Sequence, residues 1–126
     1  RECARVLRPG GRVIFVMNHP AFRIPKRTSW GWDDKEKVQY RRADGYLSQS
    51  RAEIAMNPGT EDSETTWSFH RSLQDHMKAF AGAGFAITRL EEWISHRKSE
   101  KGPKAEAEDT ARKEFPLFLM LELTLR

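Results

Sequence analysis

The chain has 126 residues, of which 32% are charged and 38% hydrophobic, and its net charge is +4. That length admits one domain with a modest core and excludes two ordinary ones. No apolar run approaches the roughly 20 residues of a membrane helix, and the opening "RECARVL" lacks the apolar stretch of a secretory signal.

In chain order, Arg1–Leu7 reads as the last turns of a helix, with Cys3, Ala4 and Leu7 on one side and Arg5 and Arg8 near its negative pole. Pro9-Gly10-Gly11 forbids continuation, and glycine supplies the positive φ of a tight reversal. Val13–Met17 is an unbroken apolar run rich in β-branched residues, the pattern of a strand buried on both faces, ending at Asn18-His19-Pro20. Residues 21–37 show no clean period and read as a long loop. Tyr46–Met56 and Glu64–Phe69, joined by the turn-rich "NPGTEDS", read as an antiparallel hairpin. In the next segment Phe69, Leu73, Met77, Phe80 and Ala81 recur at helical spacing. Ser72 with Asp75 resembles a capping box, and Gly82 and Gly84 suit a left-handed stop. Phe85–Glu92 and Pro116–Arg126 read as two further strands. The charged stretch between them needs no core and is read as part helix, part disorder.

The single cysteine, Cys3, gives neither an internal disulfide nor a zinc spacing. It is read as a helix-packing residue and points to a reducing cytoplasm. No set of histidines and carboxylates has metal-ligand spacing, so a metal is not expected.

Three stretches carry a family resemblance. "RVLRPGGRVIFV" resembles the segment entering the fifth strand of class I S-adenosylmethionine-dependent methyltransferases, where a helix ends in a Leu-x-Pro-Gly-Gly turn. "HRSLQDHMKAFAGAGFAITRLEEW" resembles their later helix, Ala-Gly-Phe turn and sixth strand, and "FPLFLMLELTLR" their closing antiparallel strand. The resemblance implies an α/β fold, the C-terminal part of a Rossmann-like sheet with a buried parallel strand, a helix and an antiparallel closing strand. It makes the chain one partial domain: 1–20 the helix end and core strand, 21–69 a cap-like insertion with a hairpin, 70–126 the remainder. The implied cofactor of the intact parent is S-adenosylmethionine. The family's glycine-rich turn after the first strand and its acidic residue after the second have no counterpart here. "GAG" at Gly82–Gly84 ends a helix before a strand, the reverse of the required order. The chain therefore reads as a methyltransferase half that is inactive alone.

Ligands in open α/β sheets lie beyond the carboxyl ends of parallel strands, which singles out Asn18 and His19. His19 is the candidate catalytic base, or a positioning residue, since methyl transfer can proceed by orientation alone. Phe22, Trp30 and Tyr40, with Trp32, Tyr46 and Trp67, make the insertion aromatic. They are candidates to line an acceptor pocket or to stabilise a cation, while Tyr46 and Trp67 suit the hairpin's own small core. Arg23 can clamp a carboxylate or phosphate, and His70 and Arg71, opening a helix, favour an anion. His76 is expected to face water, and Glu91-Glu92 to be surface charges on opposite faces of a strand end.

Two functions compete. One is transfer of a methyl group, in the intact parent, to a small-molecule acceptor. The other is a non-catalytic module that binds a partner, or pairs with itself as a homodimer or strand swap, through bare sheet edges. Nucleic acid is a disfavoured partner, because "KRTSWGWDDKEK" interleaves both charge signs instead of gathering a basic face.

Overall fold

The computed structural model describes residues 1–61 and 63–126. In order they form α1 (Glu2–Val6), β1 (Arg12–Asn18), β2 (Thr28–Asp33), β3 (Val38–Ala43), β4 (Ser50–Ala55), β5 (Thr65–His70), α2 (Leu73–Gly82), β6 (Phe85–Trp93), α3 (Ala105–Glu114) and β7 (Phe118–Leu125). β1, β7 and β6 make one sheet in that order, while β2–β3 and β4–β5 are separate two-stranded sheets. β7 runs antiparallel to both neighbours, so β1 and β6 point the same way with a reversed strand between them.

β7 occupies the centre because its sequence can be buried almost continuously. Leu119, Leu121 and Leu123 are inaccessible and Met120 nearly so. The three leucines share a face with Val13, Phe15 and Met17 of β1, opposite them in register. Against that face lie Cys3, Ala4 and Leu7 from the α1 segment and Leu73, Met77 and Phe80 of α2, with the Phe15 and Phe80 rings 5.5 Å apart. The reversal before β1 forms as the sequence suggests. Gly10 has φ +78°, and backbone bonds from Gly10 N to Leu125 O and from Leu125 N to Gly11 O tie it to the end of β7.

β1 departs from the expectation of burial on both faces. Its residues alternate, and Ile14 and Val16 are 61% and 55% exposed. The helices that pack against β1 cover one face only, and among the described residues its outer edge has no partner. An apolar run of this kind reports affinity for two covered faces, not their presence.

The stretch 21–37 is not an unbroken loop, because it contains β2, paired residue by residue with β3. The turn is made by Asp33, whose Oδ1 accepts from the backbone N–H of Lys35 and Glu36, and by Lys37 at φ +54°. Gly31 lies opposite Tyr40, whose ring fills the space a β-carbon would take. The expected hairpin of residues 46–69 forms with a shorter first strand and with its second strand shifted by one residue to end at His70, and Tyr46 lies outside it. Ser72 caps α2, its Oγ accepting from Asp75 N–H, and Gly84 at φ +87° supplies the left-handed stop while Gly82 stays helical. No helix among the described residues is long and apolar enough to cross a membrane.

Candidate functional site

At the carboxyl end of β1 a cavity of about 290 Å³ opens between the strand, the loop that follows it and the end of β5. It brings together Asn18 and Arg23 with His70 and Arg71, two pairs far apart in sequence, and each of the four was a candidate for acceptor contact. His76 lines the same cavity, one turn into α2, instead of facing water. The helical period alone put it near the apolar stripe of α2. What the sequence could not supply was the loop of Pro20 and Pro25 folding over that side.

The histidines differ in what they are free to do. His70 is buried, and its Nε2–H donates to the Tyr46 carbonyl at 2.7 Å. The Tyr46 hydroxyl in turn accepts from Leu73 N–H at 3.1 Å. With Ser72 Oγ on Asp75 N–H, two N–H groups in the first turn of α2 are thus taken up by side-chain oxygens and not left free for an anion. His76 stacks on Phe80 at 6.1 Å. Burial, then the charges of Arg71 and His70, hold its imidazole below the usual 6.5, against a smaller opposing pull from Asp75.

This has a pH consequence. Below 6.5 the unfolded chain takes up a proton at His76 that the folded chain resists, so this group's share of stability falls as pH drops from 6.5 through the lower folded value. His76→Gln is expected to lose less stability than the parent chain between about pH 7 and about pH 5, read as urea midpoints at each pH. Equal losses in the two proteins would refute the assignment.

His19 sits beside the cavity but does not line it. Its Nε2–H donates to Glu92 Oε2 at 2.7 Å, and its Nδ1 accepts from Ala21 N–H at 3.1 Å, so neither ring nitrogen has a lone pair free toward a ligand. The geometry is that of a pin holding the end of β1 to the end of β6. Glu92, read from sequence as a surface charge, is about half exposed and is nonetheless its partner; Glu91, somewhat less exposed, pairs with Arg89. Strand alternation assigned the two carboxylates to opposite faces, yet only the meeting of the two strand ends across the start of β7 could reveal the bond.

The aromatic candidates gather elsewhere. Phe22 packs against His19 at 4.8 Å and against Phe115 at 5.4 Å, and Trp30 meets the same Phe115 at 5.8 Å. Arg41 lies over Trp30 at 4.7 Å and donates to Phe22 O and Thr28 Oγ1. Tyr40 stands half-exposed over Gly31. Phe22 and Trp30 therefore bind the insertion to Phe115 at the end of α3, and none of the three lines the cavity. A larger cleft of about 630 Å³ lies between the β2–β3 hairpin and α3, away from the strand end. No group of three or more potential metal ligands occurs among the described residues.

Two solved structures match 98% of this chain. One, from Listeria monocytogenes, carries the description "putative S-adenosylmethionine dependent methyltransferase" and matches with a TM-score of 0.68 at 22% identity over 51% of its own length. The other, an S-adenosylmethionine-dependent methyltransferase from Mesorhizobium loti, matches with a TM-score of 0.62 at 24% identity over 55% of its length. The chain has the fold of a methyltransferase's C-terminal part. It spans about half the length of these structures. No protein-family model matches it, and no curated protein does.

Proposed function

We propose that this chain is the acceptor-binding part of an S-adenosylmethionine-dependent methyltransferase that acts on a small molecule. The observation that carries the reading is the sheet β1-β7-β6 with its reversed central strand, matched along nearly the whole chain in two such enzymes, together with a cavity at the carboxyl end of β1.

The residues present do not fit the cofactor itself. Among the described residues no glycine turn leads directly from a strand into a helix: Gly10 and Gly11 precede β1, and Gly84 ends α2 before β6. Cofactor binding is accordingly assigned outside this chain. What Asn18, Arg23, His70 and Arg71 do is bind and orient the acceptor, since a displacement at a methyl group gains most from alignment of the reacting atoms. His19 serves as a positioning residue through its bond to Glu92.

The test is calorimetric titration of S-adenosylhomocysteine into this chain and into the same chain carrying the sequence its gene encodes upstream of Arg1. Binding by the longer form alone is the expected result. If neither binds, the enzyme reading falls and the competing one gains: a module that pairs through the outer edge of β1, where Ile14 and Val16 stand exposed. Sedimentation of the 126-residue chain would then show a dimer that Ile14→Lys disperses.

A further inference from the structure

Building on that acceptor site, we infer that the cavity at the end of β1 receives an anionic group of the acceptor, a carboxylate or a phosphate, held between Arg23 and Arg71. Both arginines line the cavity, and no aspartate or glutamate does. Elsewhere Arg12 pairs with Glu122, Arg27 and Arg42 with Asp44, Arg89 with Glu91 and Arg112 with Asp109, whereas arginines such as Arg41 and Arg51 lie over aromatic rings instead. Among the described residues neither Arg23 nor Arg71 has a carboxylate within 4.0 Å.

Their charge is felt by neighbouring groups, His76 in the cavity wall and Arg41 outside it. Arg41 is drawn below its usual value by burial and by Arg23, and His76 by burial, Arg71 and His70. Such a field is unneutralised within the chain and is relieved by an incoming anion. Arg23 is also ordered in advance, its guanidinium lying over the Phe118 ring at 5.1 Å, so less freedom is lost when it engages an oxyanion. The remaining walls include Met17, Pro25 and Phe69, which suit an apolar body attached to the anion. At about 290 Å³ the cavity is at the small end of ligand sites and suits an anion carried on a single ring.

The experiment is an NMR titration of the 126-residue chain with benzoate, phenyl phosphate and, as an uncharged ring of similar size, benzyl alcohol. Saturable shifts of the His70 and His76 imidazole signals are expected with the anions and not with the alcohol. The anion that binds more tightly identifies which of the two oxyanions the site takes. Arg23→Gln and Arg71→Gln should each weaken anion binding about tenfold or more. Arg71→Lys should weaken it less, because charge is kept and only the fork is lost. Arg5→Gln, at the exposed pair with Glu2, should change nothing.

Equal response to benzyl alcohol, or wild-type binding by the Arg23→Gln, Arg71→Gln double variant, would overturn the inference. Should a glutamine variant fail to fold, the comparison of anion with alcohol in the unaltered chain still decides. None of these readouts involves methyl transfer. Anion binding here with no S-adenosylhomocysteine binding by the longer chain would remove the enzyme reading and leave the anion site standing. The converse pair of results would do the opposite.

Discussion

Leu121→Ala is expected to lower the free energy of unfolding by about 2–5 kcal/mol, a large part of what a chain of this size has. Leu121 is wholly buried in the central strand, opposite Phe15 on one side and Leu90 on the other. Removing three carbons there opens a cavity that neither neighbour can close without leaving its register. Urea denaturation followed by circular dichroism is the measurement, with Leu47→Ala as the exposed control, expected within about 0.5 kcal/mol of the parent.

Ile14→Ala adds a sharper contrast. In the 126-residue chain it should cost about 1 kcal/mol or less, because its side chain is mostly exposed. In a longer chain that covers the outer face of β1 the same change should approach the cost at Leu121. A large loss at Ile14 in the short chain would contradict the one-sided core described above.

The second large effect is at His19. His19→Ala is expected to cost about 2–3 kcal/mol. The change removes the acceptor for Ala21 N–H, the donor to Glu92 and the ring that packs on Phe22, all at a site only 6% exposed. Glu92→Gln should cost well under half as much, because an amide oxygen still accepts from Nε2–H. Thermal unfolding of the three proteins is sufficient to check this. An unchanged midpoint for His19→Ala would show that the bond between the ends of β1 and β6 carries no stability. A role in the site itself would then be the better account of this residue.

How much of this was legible in the sequence differs by element, for physical reasons. The Pro-Gly-Gly reversal, α2 with its Ser72 cap and Gly84 stop, and the closing strand are set by local chemistry, and each forms as read. β2 was hidden because Trp30, Gly31 and Trp32 acquire strand character only from pairing with residues 38–43. The exposure of β1 was illegible for the opposite reason, since its composition speaks of neighbours and not of which ones are present. At the site, the choice of Asn18, Arg23, His70 and Arg71 followed from residue type and strand ends, and the structure draws all four to one cavity. Phe22, Trp30 and Tyr40 stood out equally in sequence. An aromatic side chain serves packing as readily as recognition, and here Phe115 and Gly31 claim them.

The position of β7 also governs how the molecule comes into being. The central sheet joins residues as remote as Arg12 and Thr124, whereas β2 with β3 and β4 with β5 close over short turns. Local hairpins form early and distant pairings late, because the ends of a long segment must first meet. As the chain leaves the ribosome, at about 5–20 residues per second, "VIFVM" of β1 waits on the order of ten seconds for the strand that completes it. Through that interval the edge of β1 that β7 will occupy is unpaired, an apolar β-former open to association along that side. The side of β1 that receives β7 is therefore the last seam of this sheet to close, and the one on which misassembly during synthesis would fall.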